Sequence, residues 1–136
     1  MRIEHIAVWT RSREGLERLR AFYESYFGAR AGSRYESTRR PGFVSYFLDL
    51  PAGGAPSAAR LELMTAPDIA PAVATRETAG YAHLAISLGS RAAVDALVAR
   101  MAADGVPVLS GPRVTGDGYY EAVVHDPDGN VVEIIA

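Results

Sequence analysis

The chain has 136 residues, of which 14 are basic and 16 acidic, for a net charge of −2. That length suits one domain or two small fused modules, and interspersed charge leaves no broad footprint for nucleic acid or a membrane, so a small-molecule substrate or another protein is the expected partner. Every basic residue is arginine and cysteine is absent, which excludes Schiff-base and lysine-nucleophile chemistry, disulfides, thiolate nucleophiles and cysteine metal sites.

The opening Met-Arg-Ile-Glu-His has no apolar targeting segment, and no apolar run approaches the ~18–20 residues needed to span a bilayer. The default expectation is a cytoplasmic protein. Residues 2 to 9 alternate with period two and predict a strand, with Ile3, His5, Ala7 and Trp9 on one face and Glu4, Ile6 and Val8 on the other. A helix follows, capped by Ser12, striped by Leu16, Leu19, Tyr23, Tyr26 and Phe27, and stopped by Gly28. Two β-rich stretches, about 43 to 50 and 59 to 64, are divided by a loop at 51 to 56 rich in proline and glycine. Glu62 therefore falls on a strand.

Residues 65 to 80 lack periodicity and read as a linker or crossing loop. The plan then repeats. A strand at 80 to 88 precedes a helix capped by Ser90, with Val94, Leu97, Val98 and Met101 as its stripe and Gly105 at its end. Two more strands are predicted at about 119 to 125 and 131 to 135, joined by the turn Asp126-Pro-Asp-Gly-Asn130. His125, just before that turn, reads as a surface residue without a role.

The halves match in detail. Glu4-His-Ile-Ala-Val8 corresponds to Ala82-His-Leu-Ala-Ile86, and Arg60-Leu-Glu-Leu-Met64 to Val131-Val-Glu-Ile-Ile135. The expected fold class is α+β: two tandem β-α-β-β-β modules forming curled mixed sheets around a metal-binding cavity. Module 1 covers about 1 to 66, a crossing linker 67 to 79, and module 2 80 to 136, all within one domain.

Each module contributes a histidine from its first strand and a glutamate from its last. His5, Glu62, His83 and Glu133 together form a metal site's inventory, because two neutral imidazoles and two carboxylates suit a borderline divalent ion and neutralise its charge. A plainer reading stands beside it: on half-exposed strands both glutamates would face water, and Arg60 would pair with Glu62. The internal repeat favours the site.

His5, Arg60-Leu-Glu-Leu, Gly80-Tyr-Ala-His-Leu-Ala-Ile-Ser and His-Asp-Pro-Asp-Gly-Asn-Val-Val-Glu-Ile resemble the four ligand segments of glyoxalase I in the vicinal oxygen chelate superfamily, over nearly the whole chain. That superfamily also holds extradiol dioxygenases, methylmalonyl-CoA epimerases, and fosfomycin and bleomycin resistance proteins. The resemblance implies one divalent ion (nickel, cobalt or zinc, with iron or manganese as alternatives) held by His5, Glu62, His83 and Glu133. It implies a lyase or isomerase that moves a proton next to a carbonyl through a metal-stabilised enediolate, with Glu133 as base and Glu62 serving the opposite face. It further implies a homodimer, in which the site forms within one chain or across the interface. The alternatives are a metal-free binder of the bleomycin-resistance kind and an extradiol-type dioxygenase.

Glyoxalase I usually carries an arginine four residues after the first histidine and an asparagine four after the first glutamate, both for glutathione; here Trp9 and Ala66 stand there. Trp9 reads either as an apolar or stacking wall of the cavity or as ordinary core packing, and Phe43, Ser45 and Phe47 likewise as candidates for the same wall or as plain core. Tyr119, Glu121 and Val123 share a face and are further candidates for substrate contact. Glu121 reads either as an additional acid or base or as a solvated edge residue.

Overall fold

The computed structural model describes residues 3–51, 59–71 and 79–136. The chain divides into two compact units, Met1–Ala72 and Val73–Ala136. The inner part of the expected loop at 51 to 56, and residues 72–78 of the expected linker, lie outside the described residues. Among the described residues, no helix is long and apolar enough to cross a membrane.

In the first unit, strand β1 (His5–Thr10) leads into helix α1 (Arg13–Phe27). Short strands β2 (Arg30–Ala31) and β3 (Tyr35–Glu36) then precede β4 (Val44–Asp49) and β5 (Arg60–Thr65). Ser12 caps α1 as expected, its hydroxyl accepting from the Gly15 amide at 3.0 Å. At the other end Gly28 turns the chain left-handed, with φ 64°. The stripe differs at one place. Phe22 is buried in the core, whereas Tyr26 is only half-buried, so the apolar face includes a position the spacing rule passed over.

The first sheet runs β1-β5-β4-β2, with β3 also on β4. β1 and β5 are parallel and the remaining pairs antiparallel. Alternation sends Leu61, Leu63, Val44 and Leu48 to the buried face, with α1's Leu16, Leu19 and Tyr23 also in the core. Tyr46 ties helix to sheet by donating its hydroxyl to Glu17 Oε1 at 2.9 Å.

The second unit follows the same order: β6 (Leu84–Ser87), α2 (Arg91–Ala103), β7 (Val108–Val114), β8 (Tyr120–His125) and β9 (Val131–Ile135). Its sheet runs β6-β9-β8-β7, with β6 and β9 parallel. β6 is shorter than expected and begins one residue after His83. β7 has no counterpart in the sequence reading. Gly111 and Pro112 interrupt its alternation, and they fall in the irregularity between the paired residues Ser110 and Arg113, on the outermost strand, where a proline without an amide hydrogen is tolerated. The turn after β8 is held by buried Asp126, whose Oδ1 accepts from the amides of Asp128 (3.0 Å) and Asn130 (2.9 Å). The fold class is α+β, two helices and two mixed sheets, as the sequence predicts.

Candidate metal centre

Strand register decides which side chains can meet. In the first unit Ala7 pairs with Glu62 across β1 and β5, and Phe47 pairs with Glu62 across β4 and β5. Residues in register share a face, so His5, Ala7, Trp9, Glu62, Met64 and Phe47 all lie on the face opposite Leu61 and Leu63. The second unit repeats this residue for residue. Ala85, two positions after His83, pairs with Glu133, and Val123 pairs with Glu133 from the other side.

The two histidine–glutamate pairs come out alike. His5 Nε2 stands 3.7 Å from Glu62 Oε2, and His83 Nε2 stands 3.3 Å from Glu133 Oε2. Both spacings are longer than the ordinary N–H···O range of about 2.7–3.2 Å. Two donors each about 2.1 Å from one ion stand roughly 3.0 Å apart at a right angle and about 3.4 Å apart at the tetrahedral angle. The His83–Glu133 pair falls between those separations and the His5–Glu62 pair stands a few tenths of an ångström beyond them; the donor chemistry of both suits a divalent cation. Each unit supplies two candidate donors; among the described residues no group of three or more histidine, aspartate or glutamate side chains is arranged so that it could hold a metal ion.

The plainer reading of the glutamates fails on exposure. The Glu62 and Glu133 side chains are only 14% and 20% exposed. Arg60, its expected partner, turns from Glu62 to Glu4, and its guanidinium lies over the Phe47 ring at 4.3 Å. Glu4 also accepts from Nδ1 of His5, so it bridges imidazole and guanidinium. Those contacts, His5 first and Arg60 next, hold the Glu4 carboxyl below the usual carboxylate range. Glu4 went unassigned in the sequence because strand alternation points it away from His5; it precedes the first paired residue of β1, where alternation no longer binds it.

Aromatic rings line this face of the first unit. The Phe47 ring meets His5 edge-on at 5.3 Å, and Phe43 meets Trp9 edge-on at 5.9 Å. Ser45 lies on the same side but is buried, and so is Ala66. In the second unit Val123 is half-buried beside Glu133 and Tyr119 is exposed, just before β8. Glu121 corrects the expectation of a solvated edge residue. It is buried on an inner strand, with Arg113 Nη2 at 3.4 Å from its Oε1. Arg113 went unnoticed because it belongs to the strand that glycine and proline hide. His125 is half-buried, and its backbone amide donates to the Pro107 carbonyl at 3.0 Å.

The family model described as Glyoxalase/Bleomycin resistance protein/Dioxygenase superfamily matches residues 2–134. No curated protein matches the chain. Among solved structures, a V278E mutant of glyoxalase I from Zea mays shares 21% identity at a TM-score of 0.76, over 98% of this chain and 44% of the maize chain. The chain thus spans less than half of that protein. The trypanothione-dependent glyoxalase I of Leishmania major shares 25% identity at a TM-score of 0.70, over 99% of this chain and 86% of that one. A glyoxylase/bleomycin resistance protein/dioxygenase domain from Frankia sp. EAN1pec reaches a TM-score of 0.78 at 17% identity, covering 99% and 96% of the two chains.

Proposed function

Since the chain belongs to the Glyoxalase/Bleomycin resistance protein/Dioxygenase superfamily, we propose that it is a divalent-metal-dependent lyase or isomerase of the glyoxalase I type, acting on a small molecule with two adjacent oxygens. The observation that carries this reading is the equivalence of the two histidine–glutamate pairs, set at the same register in both sheets and with both carboxylates largely covered. Side chains arranged only for solubility have no reason to repeat in this way.

His5, Glu62, His83 and Glu133 would hold the ion, and nickel, cobalt or zinc suits two imidazoles and two carboxylates. When bound, it supplies Lewis-acid stabilisation of negative charge on the substrate's oxygens. Glu133 takes the proton from the carbon next to the carbonyl, the electron pair of that C–H bond moves toward the carbonyl oxygen, and the proton returns to the adjacent carbon. Glu62 serves the opposite face of the substrate. Phe47, edge-on to His5, keeps water from the reacting carbon, and Trp9 and Phe43 orient an apolar part of the substrate farther along the face. In this proposal the protein acts in the cytoplasm, and as a homodimer, because β1 and β6 each end the strand order of their sheet and a sheet edge is a template for pairing with another strand.

A second reading, a metal-free binder of an aromatic compound, draws on the exposure of Trp9 (40%) and Tyr35 (54%). Elemental analysis of protein purified without chelator separates the two. About one ion per chain is expected for the enzyme, and a metal-free protein that still binds aromatic compounds would establish the binder instead.

A further inference from the structure

Four residues along β1 from His5, the wall of Trp9 and Phe43 continues to Tyr35 and Arg40, two residues the proposed chemistry does not use. Phe43 meets Trp9 at 5.9 Å and Tyr35 at 6.2 Å, both edge-on, and Tyr35 is in register with Ser45 on β4. The Arg40 guanidinium lies over the Trp9 ring at 5.2 Å and over Phe43 at 5.6 Å. Of the two arginines stacked on this face, Arg60 has the Glu4 carboxylate; no ion pair engages Arg40 among the described residues.

The turn that carries Arg40 is built firmly. The Ser37 hydroxyl accepts from the amides of Arg39 (3.2 Å) and Arg40 (3.0 Å), and the Arg40 carbonyl accepts from the Phe43 amide at 3.0 Å. Gly42 closes it at φ 79°, so near Pro67 that a Cβ would come within 2.6 Å of the proline ring. A preset turn thus holds a planar cation, with no carboxylate paired to it among the described residues, against the exposed Trp9 and the half-buried Phe43.

We infer that Arg40, Trp9, Tyr35 and Phe43 form a subsite for a planar aromatic anion, an aryl carboxylate above all. The acid takes Arg40 through paired N–H···O bonds, and the ring takes the exposed faces of Trp9 and Tyr35. His5 and Trp9 are four residues apart on one strand face, about 13 Å. The substrate class that follows is an elongated molecule with an aromatic acid at one end and adjacent oxygens at the other. The second half of that statement rests on the metal-dependent reading above; the aromatic-anion subsite does not.

The test uses chelator-treated full-length protein, so that it is independent of the metal. Trp9 is the only tryptophan, and its indole N–H gives one resolved signal in a spectrum of nitrogen-15-labelled protein. Titration with 1-naphthoate is expected to move that signal to saturation, with 1-naphthamide at least tenfold weaker. Arg40→Gln, an exposed position, is expected to weaken naphthoate at least tenfold and to leave naphthamide within twofold. Equal affinity of acid and amide in the wild type, an unsaturable shift, or unchanged naphthoate binding in Arg40→Gln would each overturn the subsite. Naphthoate binding in a protein that never takes up metal would keep the subsite and reject the metal-dependent enzyme.

Discussion

Glu4 and His5 are chain neighbours joined side chain to side chain, the imidazole Nδ1 donating to a carboxylate that Arg60 also engages. Nδ1 is thereby occupied, and Nε2 is the nitrogen presented to Glu62. Residue 82, the repeat's equivalent of Glu4, is alanine, so the two histidines are supported unequally. Removing such an orienting carboxylate costs about 10–100-fold in metal affinity. Glu4→Ala is expected to weaken nickel or zinc binding by that factor in titration calorimetry, with Glu4→Gln, which keeps an acceptor, losing less.

Glu133→Gln preserves size and hydrogen bonding but removes the base. Its circular dichroism should match the wild type while turnover falls by about 10²–10⁴-fold. A variant with near-wild-type turnover would remove Glu133 from the proposed role.

Arg113→Ala leaves the Glu121 carboxylate buried without its cation. A buried polar group deprived of its partner costs about 1–3 kcal/mol, and urea denaturation should register a loss of that size. Adding Glu121→Gln removes the stranded charge, so the double variant should regain part of the loss. A further drop in the double variant would mean that Glu121 is stabilised by something other than Arg113.

Burial pushes the Glu17 carboxyl's pKa up, but hydrogen bonds from Arg20 and Tyr46 outweigh it, and the carboxyl sits below its ordinary range. The folded pKa is depressed, so this stabilisation is present above the unfolded value, near 4.3, and is lost as pH falls through the folded one. Denaturation midpoints should be flat at neutral pH and fall below about pH 4.3. Glu17→Gln should make that fall shallower. Tyr46→Phe should cost about 1 kcal/mol at neutral pH by deleting the hydroxyl bond.

Much of this arrangement was legible from residue order alone, and the reason is period. Wherever apolar residues alternate or recur every third or fourth position, as at Leu61 and Leu63 or Val94 and Val98, the pattern reports both element and face. Alternation gives Ile3, His5, Ala7 and Trp9 one face of the first strand, and the register brings Glu62 and Phe47 to that face. What stayed hidden depends on contacts distant in sequence or on broken periodicity. The strand bearing Arg113 is masked by Gly111 and Pro112. Arg40 reaches Trp9 from a turn without repeating pattern, 31 residues along the chain, and Phe22 is buried against the rings of Tyr23, Tyr26 and Phe27, contacts that the three-and-four spacing does not report.

Both histidines ride on or beside the outermost strand of their sheet, His5 opening β1 and His83 immediately ahead of β6. A backbone that docks against either margin would also steady the adjacent imidazole. With an ion held as proposed, strand docking and ion uptake would be linked equilibria, each drawing the other toward completion. Chelation would then loosen a strand docked at either margin, and dilution of a dimer would lower the affinity of the proposed site.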